Sequence, residues 1–266
     1  MYQIILMEYA IVTVPAAPVR RKPKHQSEMV NQLLFGEAVK ILKAKNSTWI
    51  KVRSLYDDYE GWLTYHMIYP VKKSIAENPV QYVSTDLLAA ITVKDIQMHI
   101  SAGAGLRIDA PEALPDAERF PFFSGTVVNT ATAVPSAELV LAYSKKWLNV
   151  PYMWGGRTPF GVDCSGFAQI IYKQMGIKIP RDAWQQAQGG QAIKKLKDAV
   201  TGDLAFFDDK HEIVHVGILL SPTDIIHAAG KVRIDTIDKD GIINTDTGKR
   251  THSLRSIKRF WGNVNQ

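Results

Sequence analysis

The first 72 residues contain short stretches in which apolar and β-branched residues alternate with polar ones, and turn residues separate these stretches. The stretches are EYAIVTVPAAPVRR, GEAVKILKAKNSTWIKVRS and YEGWLTYHMIYPV. An apolar period of two with many Val, Ile, Tyr and Trp residues is typical of β-strands that bury one face. Residues 1–72 are therefore predicted to form a small all-β barrel.

The following region, residues 73–130, has a weaker pattern. It begins with a β-rich stretch, PVQYVSTDLLAAITV, and continues into SAGAGLRIDAPEALPDAERFPFF, which Gly and Pro interrupt repeatedly. The SAGAGL run lacks the glycine spacing of a phosphate-binding loop, and no strand clearly leads into a helix there. The pattern predicts no individual strand in this region.

A helical period begins after residue 131. Ser136 precedes AELVLAYSKKWLNV, in which Leu139, Tyr143 and Trp147 recur at helical spacing. Serine is a preferred N-cap residue, and an acidic residue in the first turn suits the helix dipole. A helix of about three turns is predicted here.

A second helix is predicted to begin at or next to Cys164, the only cysteine of the chain. Four apolar residues share one face of this helix: Phe167, Ile170, Ile171 and Met175. Gly176 is predicted to end it, because glycine readily adopts the left-handed conformation that terminates helices.

The remainder of the chain has the pattern of hairpin-linked strands. The predicted strands span residues 204–208, 213–220, 225–230 and 232–237. A Ser-Pro-Thr-Asp turn separates the second from the third. Helices followed by such strands predict an α+β domain over residues 131–266.

Composition and charge argue against several classes of protein, namely disulfide-rich, nucleic-acid-binding and membrane-spanning ones. The chain has 266 residues, of which 46% are hydrophobic and 22% are charged, and one cysteine excludes an internal disulfide framework. The net charge of +6 comes from scattered basic residues without interleaved aromatics, so no nucleic-acid partner is predicted. No stretch approaches the roughly 20 apolar residues of a membrane span.

The N-terminal stretch bears on localisation. It is apolar, but it lacks a basic leader region, and Glu8 interrupts it early. We therefore expect a cytoplasmic protein; an exported protein whose signal peptide has been removed is the alternative.

Cys164 is a candidate nucleophile because of its place at the start of a helix. The unpaired N–H groups and the positive dipole end are expected to lower the thiol pKa, and the same N–H groups could stabilise an oxyanion. His215 and His227 lie on consecutive predicted strands and can be neighbours on one sheet face. One imidazole could then take the thiol proton while the other orients it.

Two alternatives stay open from the residues alone. Cys164 could be an inert packed side chain, since free cysteine is often buried, or it could join the two histidines in a metal site. The remaining histidines are interpreted as surface or core residues, with the one in DDKHE solvated: His25, His66, His99, His211 and His252.

Six segments carry a family resemblance: PYMWGG, DCSGFAQIIY, IPRDAWQQ, GDLAFF, VHVGI and IIHAAG. In this order they resemble the NlpC/P60 family of papain-like cysteine peptidases across residues 131–262. The resemblance implies that Cys164 is the nucleophile, His215 the general base and His227 the orienting third member. It implies no metal and no cofactor.

The N-terminal half is similar to a known partner domain. SEMVNQLLFGE and YDDYEGW resemble the bacterial SH3-like modules of γ-D-glutamyl-L-diamino acid endopeptidases. The implied organisation is an SH3-like domain at 1–72, a linker or second degenerate SH3-like module at 73–130, and an NlpC/P60 domain at 131–266.

The resemblance also implies a substrate and its contacts. The substrate is a murein stem peptide with a free N-terminal L-Ala, cleaved between γ-D-Glu and meso-diaminopimelate or L-Lys to release L-Ala-γ-D-Glu during wall-peptide recycling. Six positions match the substrate-contacting motifs: Glu28, Tyr59, Asp163, Ser165, Asp182 and Ala183. The first three would hold the peptide's N-terminal end, where a buried ammonium needs negative partners.

Some readings of these residues compete with substrate binding. The family pattern that the resemblance implies has Ser where this sequence has Ala183, so the resemblance does not carry a hydroxyl contact over to this position. Tyr59 and Trp62 could be barrel core, Arg181 and Asp182 a structural ion pair, and Glu28 an exposed acid. A hydrolase of intact peptidoglycan and an inactive wall-binding protein are the rival functions, and a monomer is expected.

Overall fold

The computed structural model describes residues 8–93, 96–107 and 122–262. It divides into two compact units. One comprises the described part of Met1–Thr132 together with Trp154–Pro159, and the other comprises Ala133–Met153 and the described part of Phe160–Gln266. The first seven residues of the apolar N-terminal stretch and much of the Gly- and Pro-rich region lie outside the described residues.

The first unit begins with an antiparallel seven-stranded sheet. Its strands are β1 Tyr9–Val12, β2 Ala16–Arg20, β3 Met29–Leu34, β4 Ala38–Ala44, β5 Trp49–Ser54, β6 Glu60–Thr64 and β7 Ile68–Val71. They lie in the order β3-β2-β6-β5-β4-β1-β7. A short 3-10 helix, Tyr65–Met67, precedes β7.

Strand β5 shows why these segments form a barrel. Ile50 and Val52 are buried in the apolar core of the unit, whereas Lys51 and Arg53 point the other way and pair with Glu60. This alternation follows from the two-residue period of a strand. The predicted small all-β barrel is confirmed.

The region that follows β7 contains one short helix and further strands. They are α1 Lys73–Glu77, β8 Tyr82–Ser84, β9 Leu88–Val93, β10 Ile96–Ser101, β11 Gly105–Leu106, β12 Phe122–Ser124 and β13 Val127–Asn129. The strands form two antiparallel sheets, β10-β9-β12 and β11-β8-β13. The relation of this region to an SH3-like module stays a prediction.

The segment Trp154–Pro159 joins the first unit, although the prediction grouped it with residues 131–266. It contains β14 Arg157–Thr158. The Arg157 side chain is fully buried and donates two hydrogen bonds to the Glu37 carboxylate, at 2.9 and 3.0 Å. The Arg157 backbone N–H donates to the Gln32 side chain at 2.7 Å. Because the partners are far apart in sequence, local pattern could not reveal this attachment.

The second unit contains helices followed by a long run of strands. The helices are α2 Ala137–Lys145, α3 Cys164–Gln174 and α4 Ala183–Gln186, and a 3-10 helix spans Leu196–Asp198. The strands are β15 Gly161–Val162, β16 Gln191–Ile193, β17 Leu204–Asp209, β18 Glu212–Leu219, β19 Asp224–Ala229, β20 Lys231–Asp238, β21 Gly241–Ile243 and β22 Arg250–Arg259.

The large sheet of this unit closes on itself. Its order is β16-β22-β17-β18-β19-β20-β21, and β21 also pairs with β22. Leu219, Ile225 and Ile237 are among the residues of the apolar cluster that fills its inner face. Helix α3 packs against β18 and β19. The predicted α+β class is confirmed.

The helix ends follow the predicted capping chemistry. Ser136 caps α2, with its hydroxyl accepting from the Leu139 N–H at 3.3 Å. Helix α3 begins at Cys164, and Gly176, just beyond its end, has a φ of +75°. A side chain at position 176 would strain that left-handed conformation, which explains why the helix ends there.

Candidate active site

Asp163 fixes the start of α3. Its carboxylate accepts from the Gly166 N–H at 2.7 Å, which satisfies one of the free donors of the first turn. The buried guanidinium of Arg181 binds both carboxylate oxygens, at 2.9 and 2.6 Å, and also donates to the Ser165 hydroxyl at 2.9 Å. The residue before Cys164 is therefore held rigidly, and its charge is balanced by Arg181.

The Cys164 thiol is buried rather than open to water, with 7% of the residue exposed. Burial raises the pKa of this thiol to about 12, and the charge of Asp163 raises it further, against hydrogen bonds from the Val216 and Ser165 N–H groups. The prediction that the helix N-terminus would lower this pKa is wrong. Desolvation of a thiolate outweighs what a first helical turn supplies.

His215 and His227 are neighbours, as predicted. Nε2 of His215 lies 2.8 Å from Nδ1 of His227, and both residues are buried. Gly217 makes this approach possible, since a Cβ there would lie 3.0 Å from the Cβ of His227 and 2.6 Å from Cδ1 of Ile225. The Val216 N–H that reaches the Cys164 thiol belongs to the residue that follows His215.

The hydrogen-bonded chain continues beyond the two histidines. Nε2 of His227 lies 3.0 Å from the Asp235 carboxylate, which is 1% exposed. Arg233 and the Thr245 N–H donate to the other oxygen of Asp235. Burial alone would raise the Asp235 pKa, but the hydrogen bonds from His227, Thr245 and Arg233 hold that pKa below its usual value.

His252 also belongs to this cluster, which the sequence interpretation missed. Its ring stacks on His215, with centroids 4.2 Å apart and planes 23° from parallel. Burial, and then the neighbouring His227, lowers the His252 pKa to about 4. Burial is also the main cause that holds the His215 pKa well below its usual value. No local signal marks His252, because the closure of the barrel brings β22 to the site.

Tyr152 is a second residue that the sequence interpretation missed, although it lies in the PYMWGG segment. Burial raises its pKa well above the usual range, and the negative charges of Cys164 and Asp163 add to the rise. The Tyr152 hydroxyl therefore lies within electrostatic reach of the thiol and stays protonated. Its place in a recognised motif was the signal that could have identified it.

Besides Asp163, three of the predicted substrate contacts lie in the same unit as Cys164. Ser165 is buried at the first turn of α3, Asp182 caps α4 in a capping box with Gln185, and Ala183 is buried. The Gln186 side chain donates to the Ser165 carbonyl at 3.1 Å, which ties α4 to the start of α3.

Glu28 and Tyr59 lie in the first unit. The Glu28 carboxylate accepts from the Trp154 indole N–H at 2.8 Å, and Arg21 binds it through Nε at 2.6 Å. Glu28 remains exposed, whereas Tyr59 and Trp62 are half-buried and lie outside the buried core cluster. The first unit thus presents a carboxylate that is already oriented by two donors.

Residues 8–93, 96–107 and 122–262 contain neither a metal-binding cluster nor a membrane-spanning helix. Within these ranges no group of three or more His, Cys, Asp or Glu side chains has the arrangement of a metal site. In the same part of the chain, the helices are too short or too polar to cross a bilayer.

Two family models match the chain. The model described as the NlpC/P60 family matches residues 149–251, and the model described as the bacterial dipeptidyl-peptidase Sh3 domain matches residues 19–66. The first contains Cys164, His215 and His227, and the second contains Glu28 and Tyr59.

Curated relatives and a solved structure are similar to this chain in the regions that the two family models match. A gamma-D-glutamyl-L-lysine dipeptidyl-peptidase of Bacillus subtilis is 30% identical over 74% of this chain and 71% of its own length. One of the same name from Bacillus cereus is 36% identical over 44% of this chain and 37% of its own. A crystal structure of an NlpC/P60 family protein from Bacillus cereus has a TM-score of 0.78 at 21% identity, covering 95% of this chain and 99% of that one, and shows the shared fold.

The molecule is thus a papain-like α+β hydrolase domain combined with an SH3-like all-β region. The chain belongs to the NlpC/P60 family of cysteine peptidases, a family of peptidoglycan-related enzymes.

Proposed function

We propose that this protein is an endopeptidase that cleaves the bond between γ-D-Glu and the diamino acid of murein stem peptides. The substrate carries a free N-terminal L-Ala, and the product is L-Ala-γ-D-Glu. The observation that carries the proposal is the similarity to a gamma-D-glutamyl-L-lysine dipeptidyl-peptidase, which spans 74% of this chain. The setting that we propose is the recycling of wall peptides in the cytoplasm.

In the proposed reaction Cys164 is the nucleophile. The thiol proton moves to Nδ1 of His215, because Nε2 of His215 already contacts His227. The sulfur attacks the γ-carbonyl carbon of D-Glu, and the N–H groups of Ser165 and Val216 are the donors available to the oxyanion. The amine of the diamino acid leaves with the proton, and water then hydrolyses the thioester.

The raised pKa of the Cys164 thiol makes the general base essential to this scheme. At neutral pH the thiol is protonated and His215 is neutral, so proton transfer accompanies the attack. His227 orients His215 and stabilises the imidazolium that forms. Tyr152 and the buried Arg181–Asp163 pair are further fixed dipoles and charges beside the sulfur.

Recognition of the free N-terminus is assigned to Glu28, Tyr59 and Asp163. Glu28 is supported in this role because Arg21 and Trp154 hold its carboxylate in one orientation, which lowers the entropic cost of pairing with an ammonium. Ser165 is proposed to contact the first residues of the peptide, and Asp182 and Ala183 are proposed to form a second pair of substrate contacts.

The experiment that tests the proposal is a paired assay of L-Ala-γ-D-Glu-L-Lys with and without an N-acetyl cap, read by mass spectrometry. Release of L-Ala-γ-D-Glu from the uncapped peptide alone is expected. The meso-diaminopimelate peptide in parallel measures the preference for the diamino acid. Equal cleavage of both forms would remove Glu28, Tyr59 and Asp163 from N-terminal recognition, and cleavage of intact sacculi without a free N-terminus would favour a wall hydrolase.

Two variants sharpen the result. Cys164→Ala should abolish turnover, and residual hydrolysis would contradict its role as nucleophile. Tyr59→Phe removes one hydroxyl and should lower kcat/KM for the uncapped peptide by about 10- to 150-fold, the equivalent of one hydrogen bond to a charged group. An unchanged kcat/KM would take Tyr59 out of the site. Trp62→Phe, on the same strand region, is the matched control.

A further inference from the structure

Asp235 is a buried charged group that the proposed reaction does not use. It lies on β20, two residues before the apolar inner-face residue Ile237, so it points to the same barrel interior as His227. It is 1% exposed. A buried carboxylate is costly unless it is paired, so its partners define what it does.

The partners of Asp235 divide between its two oxygens. Oδ1 accepts from Arg233, at 3.1 and 2.8 Å, and from the Thr245 N–H at 2.9 Å. Oδ2 faces Nε2 of His227 at 3.0 Å. Arg233 also pairs with the exposed Asp246 at 2.9 Å. These donors keep the carboxylate ionised and aim one oxygen at the imidazole.

The direction of every hydrogen bond in the chain follows from this carboxylate. An ionised carboxylate can only accept, so Nε2 of His227 must carry the proton. A neutral His227 then has its lone pair on Nδ1, and the 2.8 Å contact requires Nε2 of His215 to donate. A neutral His215 with its proton on Nε2 has its lone pair on Nδ1.

We propose that Asp235 is a positioning residue that sets the tautomers of His227 and His215, so that Nδ1 of His215 is free to take a proton. The inference rests on the proposed function, in which the Cys164 thiol gives that proton to His215. Asp235 acts through His227 and touches no substrate. When His215 becomes an imidazolium, the same carboxylate stabilises the added charge through His227.

The sequence places Asp235 in VRIDTI, directly after the strand that carries His227. A one-residue change of register would turn this carboxylate away from the barrel interior. The pairing of His227 with Arg233 and of Ile225 with Asp235 therefore decides whether the chain of hydrogen bonds forms.

The test compares Asp235→Asn with the wild type and with Asp238→Asn, a control on the same strand whose carboxylate binds Arg250. Asp235→Asn should lower kcat for the uncapped peptide by about 10- to 100-fold with KM within twofold, the range found for carboxylates that orient metal-binding histidines. Asp238→Asn should keep kcat within twofold. Asp235→Glu should recover part of the loss.

Two readouts need no peptide substrate, so they separate this inference from the proposed function. One is alkylation of Cys164 by iodoacetamide, followed over pH: near neutral pH, where His215 must take the thiol proton, the rate should fall in Asp235→Asn, whereas the thiolate-driven rise at higher pH should be the same in both proteins. The groups that face His227 and shape this profile are His215, His252 and Asp235, with Arg233 and Asp246 behind them.

The other readout is the His227 tautomer, measured by long-range 1H–15N correlation NMR. The wild type should carry the His227 proton on Nε2 at neutral pH, and Asp235→Asn should lose this fixed state. A wild-type His227 protonated on Nδ1 alone would overturn the proposal even if the variant failed to fold. So would an Asp235→Asn variant with unchanged kcat, alkylation rate and tautomer.

Discussion

At the scale of single residues, the protonation state of Cys164 distinguishes this site from one with a preformed thiolate. Burial raises the thiol pKa to about 12 and holds the His215 pKa well below its usual value. Both groups are therefore neutral in the resting protein at pH 7. Reactivity then depends on a proton transfer rather than on a stored ion pair.

This state predicts how alkylation of Cys164 depends on pH. Since the thiolate fraction grows about tenfold per pH unit below the thiol pKa, the rate with iodoacetamide should rise steadily from pH 7 to pH 10. Free cysteine provides the reference. A rate that is already constant above pH 5 would instead indicate a thiolate–imidazolium pair.

The stacking of His252 on His215 gives a second prediction at this scale. His252→Ala should lower kcat by about 2- to 10-fold with little change in KM, because an aromatic pair contributes about 0.5–1.5 kcal/mol to holding the His215 ring. His252→Phe should retain most of the rate. His99→Ala, an exposed histidine of the first unit, serves as the control. Equal losses in the Ala and Phe variants would argue against stacking.

At the scale of elements, the hairpin of β18 and β19 brings the two histidines together. The absence of a side chain at Gly217 lets Ile225 and His227 of β19 pack closely against β18. Gly217→Ala would place a methyl group against Ile225 and His227. Forced overpacking of this kind costs about 1–3 kcal/mol, so the variant should lose stability and activity together. Chemical denaturation and kcat measure the two effects.

The matching rescue is the double variant Gly217→Ala with Ile225→Val, which removes the Ile225 methyl group closest to the new Cβ. Part of the lost stability should return. If the double variant is no more stable than Gly217→Ala, strain against Ile225 is not the cause.

The segment Trp154–Pro159 gives a prediction for the first unit. Arg157→Met should cost about 3–5 kcal/mol of unfolding free energy, because the Glu37 carboxylate stays buried without its guanidinium partner. Glu37→Met combined with Arg157→Met should recover much of this loss, since paired apolar replacements leave no buried charge. Urea unfolding followed by tryptophan fluorescence compares the two, and equal losses would contradict the argument.

At the scale of the whole molecule, the buried histidines predict how stability depends on pH. The folded pKa values of His215 and His252 lie below the ordinary value of 6.5, that of His252 at about 4. Below pH 6.5 the unfolded chain binds protons at these residues that the folded protein does not. Stability should therefore fall as the pH drops from 6.5 towards 4, because the unfolded state binds more protons.

Calorimetric Tm values between pH 7 and pH 4 check this expectation. His252→Phe cannot take up a proton in the unfolded chain, so its Tm should fall less steeply than that of the wild type. A Tm that rises on acidification in the wild type, or the same slope in both proteins, would contradict the assignment.

The sequence by itself determined that an all-β region precedes an α+β region. It also determined the start of α3 at Cys164 and the hairpin that carries His215 and His227. These features depend on capping, apolar period and turn residues, which act over a few positions. It also carried the family motifs and, through them, the candidate residues of the site.

Only the tertiary structure decided what surrounds those residues. Burial of Cys164 reversed the expected direction of its pKa, barrel closure brought His252 to the histidine pair, and the pairing of β19 with β20 placed Asp235 beside His227. The attachment of Arg157 to Glu37 joins positions 120 apart in the chain. Desolvation and long-range strand pairing depend on the whole packed molecule, so no local pattern of residues could reveal them.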